Sequence, residues 1–194
     1  MSRPADAAPA DEALMLAYAS GDALAFEMLF DRHNLRLWRY LRRSAGTDAC
    51  ADDLAQDVWL NVARAATSYR AQSNARFSTW LFTLAHNRLV DHWRASRPVD
   101  SLDQETDSGE RLLDQLAADS GFGPLRQLES RQQAMQLLAA LDALPPEQRE
   151  AFLLQAEAGM RVAEIATATA VPLETAKSRL RYARKAMRQV LEAP

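Results

Sequence analysis

Residues 77 to 93 read FSTWLFTLAHNRLVDHW, with Arg94 and Arg97 close behind. The amide of Asn87 offers both a hydrogen-bond donor and an acceptor. Arg88, Arg94 and Arg97 supply cations, and four aromatic rings (Phe77, Trp80, Phe82 and Trp93) share the stretch. A buried helix whose spare aromatics pack on neighbours accounts for the rings equally well, since large apolar residues are usually core. A second set closes the chain, in LETAKSRLRYARKAMRQVLEA. There Glu174, Lys177, Ser178, Arg181 and Lys185 stand opposite an apolar stripe of Leu173, Ala176, Leu180, Ala183 and Met187. Polar groups near a helix start with cations beyond them suit base-edge and phosphate contacts. A solvated basic face on an ordinary terminal helix explains the same charges, and both readings stand at this point. Metal and nucleophile chemistry find less support. His33, His86 and His92 lack the i, i+4 spacing of a helical metal pair, and no glycine-rich loop follows a strand. No catalytic residue, metal site or cofactor is expected.

The elements that must position these groups are helical, and an all-α fold is expected. A first pattern begins near Asp11 and stops at Gly21. DALAFEMLFDRHNLRLWRYLRR follows, with Phe26, Leu29, Phe30 and His33 on one face; ACADDLAQDVWLNVARAATSY carries Leu54, Val58, Leu60 and Val62 among its apolar positions. In the opening stretch Phe77, Leu81, Leu84 and Ala85 would face a core, while Phe82, Leu89 and Trp93 fall elsewhere. That helix should end before Pro98, because the residue preceding a proline is disfavoured in helix. PVDSLDQETDSGERLLDQLAADSGFGP is polar, acidic and broken by Gly and Pro, and reads as an interdomain linker. Helical pattern resumes in PLRQLESRQQAMQLLAALDAL and restarts at Pro145 and Pro146. VAEIATATA and the final helix have the dimensions of a helix-turn-helix, with Val171 at the turn. Two residues depart from that motif: Ala170 stands where a turn glycine is common, and Arg161 lacks the side-chain oxygen of a good N-cap. The reading is two small helical domains, at 13–97 and 128–194, with a disordered lead-in at 1–12 and a flexible acidic linker at 98–127.

A net charge of −3 argues against a chain that coats nucleic acid generally, but the charges are divided. From Arg32 to Arg97 eleven Lys or Arg face five Asp or Glu; from Pro98 to Ser130 two face eight; from Arg161 onward seven face three. Two basic blocks thus flank an acidic one. The single cysteine, Cys50, can form neither an internal disulfide nor a thiolate metal site. No apolar run approaches the ~20 residues of a membrane span, and the N-terminus lacks an apolar signal core. A cytoplasmic protein without membrane insertion is expected.

In order along the chain, GDALAFEMLFDRH with ADDLAQDVWLNVAR, then FSTWLFTLAHNRLVDHWR, then LPPEQREAFLLQAEAGMRVAEIATATAVPLETAKSRLRYARKAMR resemble bacterial sigma factors, specifically the extracytoplasmic-function group of the sigma-seventy family. The likeness covers roughly residues 14 to 97 and 128 to 191. It implies a sigma-two-like four-helix domain and a sigma-four-like helix-turn-helix domain. It further implies that Asn87 lies at the mouth of a pocket capturing a base flipped from the melted minus-ten element, a step costing a few kcal/mol of unstacking. Arg88, Arg94 and Arg97 would hold phosphates. Thr175, Lys177, Ser178 and Arg181, with Tyr182, match positions that contact the minus-thirty-five element. Asp53, Gln56 and Asp57 match positions that bind the coiled-coil clamp of core RNA polymerase. Glu174 replaces a frequent glycine, which bears on sequence preference. The linker would thread a basic polymerase channel near the RNA exit path, or serve as a self-repelling spacer. Expected partners are core RNA polymerase, promoter DNA and an anti-sigma factor, with a monomer when free. The competing reading is a helix-turn-helix regulator with a helical dimerisation domain, which would bind palindromic duplex unaided.

Overall fold

The computed structural model describes residues 8–69, 76–95 and 124–191, and eight α-helices with one 3-10 turn lie among them. α1 (Asp11–Ala19) is tied down at its start. Arg32 donates to the Pro9 carbonyl at 2.6 Å and to Asp11 at 2.8 Å, and His33 Nε2 bonds the other Asp11 oxygen at 2.7 Å. Glu12 reaches across to accept the backbone N–H of Phe77 at 2.7 Å, satisfying one of the free donors at the start of α4. These bonds fasten residues 9 to 12, where the expected lead-in and the first helical pattern overlap, to α2 and α4.

Gly21 turns the chain at φ 104° and Asp22 caps α2 (Ala23–Ala45), accepting from the Leu24 N–H. Gly46, at φ 91°, ends α2 in the left-handed conformation that a Cβ would penalise. Thr47 caps α3 (Asp48–Ala65), which runs into the 3-10 turn Ala66–Ser68. α4 spans Phe77–Ala95. These four helices close around Met15, Leu29, Leu37, Tyr40, Val58 and Phe77, all fully buried. Phe82 and Leu89, which periodicity placed off the core face, are buried too, because α2 covers a second flank of α4 and sets Tyr40 against Phe82 at 5.5 Å. Phe30 and Leu60 reverse the opposite way and lie exposed.

In the second half, α5 (Pro124–Asp142) starts four residues ahead of the boundary drawn at 128. α6 (Pro146–Ala158), α7 (Val162–Ala168) and α8 (Leu173–Leu191) complete it. Leu144, Leu154, Met160, Ile165, Leu180 and Met187 fill the space between them. Of the apolar stripe on α8, Ala176, Leu180, Ala183 and Met187 are buried, whereas Leu173 in the first turn is exposed. The α7–α8 turn carries Ala170 at φ 53°, the sole non-glycine at positive φ among the described residues. The substitution noticed in the sequence is thus strained backbone. α6 packs on both α2 and α4, and α7 reaches α4, so the two halves share a buried seam.

Ala170→Gly is expected to stabilise the chain by about 1 kcal/mol, the usual cost of an L-residue in the left-handed region. A urea midpoint unmoved or lowered by the change would show that the turn carries no such strain.

Candidate nucleic-acid interface

One side of α4 is committed to the interior: Phe77, Leu81, Phe82, Ala85, His86 and Leu89 are buried. At 100° per residue, Trp80, Asn87, Asp91 and Arg94 fall together on the other side. Asn87 is exposed there, in the middle of the helix and away from its ends. Trp80 is half-buried, packed against Tyr69 at 5.2 Å and Phe77 at 5.7 Å, in line with Asn87 two turns later. That seven-residue spacing was available in the sequence. Arg94 approaches Asp91 only at 3.9 Å with both side chains mostly in solvent, a pair of little energetic weight. Trp93 is 39% exposed on another flank. Arg97 lies outside the described residues.

Arg88 turns from this face toward α3 and pairs with Asp57. A residue matched to DNA contact and one matched to polymerase docking therefore hold one another. Asp53, one turn before Asp57 on α3, and the adjoining Gln56 are exposed. Beside them runs an open trough of about 510 Å³ whose walls include Tyr18, Phe26, Phe30, Trp38, Trp59 and Leu60. Its rim is polar, with Asp52 accepting from the Trp38 indole at 2.7 Å. Sequence reasoning missed this trough because Phe30 and Leu60 were counted as core. Under the far end of α4, His92 Nε2 lies 3.3 Å from the Cys50 sulfur. Burial, then the charge of Asp53, pushes the Cys50 thiol up, which favours the inert, protonated form.

On α8 the expected face is present. Lys177, Arg181 and Tyr182 are exposed, and Thr175 and Ser178 are half-buried on the first turns. Ser178 spends its hydroxyl proton on the Thr175 carbonyl at 2.9 Å, leaving its oxygen lone pairs for a donor. The Arg181 guanidinium sits over the Tyr182 ring at 5.0 Å, which orients both. Glu174 holds Lys177 at 2.7 Å in an exposed pair. Lys177, Arg181, Arg184 and Arg188 share one stripe and, with Lys185 and Val162, line a groove of about 550 Å³. Arg184 and Arg188 were not among the expected contacts, although their i, i+4, i+7, i+11 spacing from Lys177 is readable in the sequence. Arg184 is steadied by two bonds to Gln155, at 2.5 and 3.0 Å.

The helix that precedes α8 is held by Glu164. Arg161 provides no capping oxygen, so the cap comes from inside: Glu164 accepts the Arg161 N–H at 2.6 Å, half of a capping box. The same carboxylate accepts the Thr79 hydroxyl of α4 at 3.0 Å. Burial alone would raise this carboxyl. The bonds from the Arg161 N–H, the Thr79 hydroxyl and the Arg161 guanidinium, with Arg76 nearby, outweigh burial and hold it below the ordinary glutamate range.

A basic helix-turn-helix on one unit, beside a polar helix face on the other, places the chain in the class of all-helical proteins with a helix-turn-helix. Comparison with known proteins narrows this class. Residues 29–98 match the family model of sigma-70 region 2, and residues 134–187 match that of sigma-70 region 4. The chain is 31% identical to the ECF RNA polymerase sigma factor SigM of Mycobacterium tuberculosis, over 93% of this chain and 84% of that one. It is also 31% identical to CarQ of Myxococcus xanthus, an RNA polymerase sigma factor, over 90% of this chain and 93% of the relative. The chain belongs to the extracytoplasmic-function sigma factors of the sigma-70 family. It is a transcription initiation factor and not an enzyme. The fold is shared with CnrH, solved with the cytosolic domain of CnrY, at TM-score 0.61 and 23% identity over 95% of this chain and 98% of that one. It is shared too with RpoE of Bartonella quintana, solved with the anti-sigma factor NepR, at TM-score 0.59 and 19% identity over 87% of this chain and 97% of that one. Among the described residues, no helix is long and apolar enough to cross a membrane.

Because the folded-state value of Glu164 lies below the unfolded one, its contribution to stability is complete above the ordinary carboxylate range and is lost as pH falls through the lowered value. The urea-midpoint gap between the native chain and Glu164→Gln should be steady near neutrality and close between about pH 5 and pH 3. A gap that is constant or widens on acidification would contradict this assignment.

Proposed function

We propose that α4 traps the melted minus-ten strand through Asn87, while α8 reads the minus-thirty-five element through Thr175, Lys177, Ser178, Arg181 and Tyr182. The observation that carries the reading is the exposure of Asn87 at the centre of a helix whose other side is wholly spent on the core. A mid-helix amide costs helix propensity and contributes no packing here. It stays available to a base edge as donor and acceptor. Trp80 offers a partly exposed ring on the same face, and Arg94 a cation for the sugar-phosphate chain. Arg97 joins them as the next cation along the chain. On α8, Arg184, Lys185 and Arg188 extend the basic stripe as phosphate contacts that fix register without reading sequence.

Asp53, Gln56 and Asp57 dock core RNA polymerase. The aromatic trough beside them supports this role, since an apolar floor with an acidic rim suits an amphipathic basic helix. Once Asp57 engages a polymerase cation, Arg88 is released from its ion pair and becomes available to phosphate. The protein acts in the cytoplasm as a monomer when free. RpoE of Bartonella quintana, which shares this fold, was solved with the anti-sigma factor NepR, and an anti-sigma factor is proposed for this chain. The segment between α4 and α5 is an acidic spacer that joins the two domains.

Two substitutions test the assignments. Asn87→Ala should leave polymerase affinity within about twofold while reducing promoter opening, read by permanganate footprinting, by tenfold or more; equal loss of docking would show that Asn87 has no strand-trapping role. Arg181→Ala should weaken minus-thirty-five recognition by about 1–3 kcal/mol and relax preference at one base pair. Unchanged promoter choice, measured on a library randomised at that element, would remove Arg181 from the reading set.

A further inference from the structure

Glu174 is the single acid of α8, a helix whose other charged side chains are all cations. An acid in a first turn is accounted for by the helix dipole alone, but the dipole asks for no particular direction of the side chain. Here the direction is set. The Glu174 side chain is 81% exposed and reaches along the helix to Lys177, whose ammonium it holds at 2.7 Å. At 100° per residue, Glu174, Lys177, Ser178 and Arg181 fall on one face, so the acid stands among the groups proposed to read bases. An exposed pair of this kind is worth little to stability, and the fold does not depend on it. Near DNA the same carboxylate is a liability, because every phosphate repels it. Its approach is tolerated only where a base edge supplies a donor.

The major groove offers few such donors. Guanine presents N7 and O6 there and thymine presents O4, all acceptors, whereas cytosine N4 and adenine N6 donate. An ionised carboxylate only accepts. Set against guanine or thymine, Glu174 would be desolvated without a partner, a cost that rejects those bases. Adenine is intermediate, since its N7 acceptor lies beside the N6 donor. Cytosine alone satisfies the carboxylate without a penalty. Lys177 has the converse chemistry: it only donates, which suits the O6 and N7 of guanine. The two residues are separated by about 4.5 Å along the helix axis, close to the rise of about 3.4 Å between neighbouring base pairs. We infer that Glu174 and Lys177 form one reading unit for the minus-thirty-five element: Glu174 selects cytosine at one base pair by refusing guanine and thymine, and Lys177, steadied by Glu174, takes guanine at the next. This rests on the proposed reading role of α8 and adds Glu174 to it as a specificity-determining residue.

The test assembles the full chain with core RNA polymerase, selects bound duplexes from a pool randomised across the minus-thirty-five element, and sequences them. The parent should favour cytosine over guanine or thymine by about tenfold at one position, with guanine at its neighbour. Glu174→Ala should reduce that cytosine preference to within about twofold. Glu174→Gln should move it to adenine, whose N6 and N7 suit an amide. Lys177→Ala should erase the neighbouring guanine. In the double variant Glu174→Ala with Lys177→Ala, selectivity should fall by less than the product of the two single losses, as coupled residues require. Preferences that stay unchanged in both Glu174 variants overturn the inference. So does a change in affinity equal for every sequence, which marks a charge effect on DNA as a whole, and so do single losses that multiply independently. Arg181→Ala is run beside them. A preference that moves with Arg181 and not with Glu174 refutes only the reading unit, whereas the absence of any base preference in the parent refutes base reading by α8 itself.

Discussion

The directions that His86, Asn87 and Arg88 take depend on how α4 is buried. Its Phe77, Leu81, Phe82 and Leu89 are locked between α2, α3 and the seam, which fixes the rotation of the helix to within a residue. A side chain in a packed core cannot turn without losing contacts that are individually small and collectively several kcal/mol. Asn87 is consequently held outward by the burial of its neighbours. The same rotation aims His86 inward to Glu150 and Arg88 sideways to Asp57. Three consecutive polar residues thus face the seam, solvent and α3, at the 100° steps an α-helix imposes. Such a helix couples its three surfaces mechanically, since none can move alone.

Much of this was legible in the sequence, and the misses have physical causes. Helix order and type followed from periodicity and from the Gly21, Gly46 and Pro146 boundaries, where backbone stereochemistry is local. The helix-turn-helix, its strained Ala170 and its poorly capped Arg161 were likewise visible. Burial was less so. Phe82 and Leu89 were misplaced because a single apolar stripe assumes one packing partner, and α4 has several. Phe30 and Leu60 were misplaced for the converse reason: their helices leave a trough unfilled. Residues 9 to 12 are attached by polar bonds, which apolar periodicity does not register. The stripe running through Arg184 and Arg188 was readable but went unread beyond Arg181 and Lys185.

The seam belongs to a different category, for no local pattern announces it. Glu150 sits in the first turns of α6, where an acid is explained fully by the helix dipole. Arg39 and Arg43 look like solvated cations on α2. Only the meeting of elements more than sixty residues apart gives these side chains their partners. These polar pairs sit beside apolar contacts, since core residues of both halves form one hydrophobic cluster.

How strongly the seam closes is decided by desolvation as much as by attraction. Glu157 illustrates the balance. Burial raises its carboxyl above the ordinary range even though Arg39 and Arg36 pull the other way. Folding thus favours the protonated form, and stability gained below the ordinary carboxylate range is lost as pH rises through the raised value. The Arg39–Glu157 pair is therefore weak evidence for stability at neutral pH. Tyr40 behaves consistently: burial, then the charge and hydrogen bond of Glu150, raise its hydroxyl, so it stays a donor to Glu150.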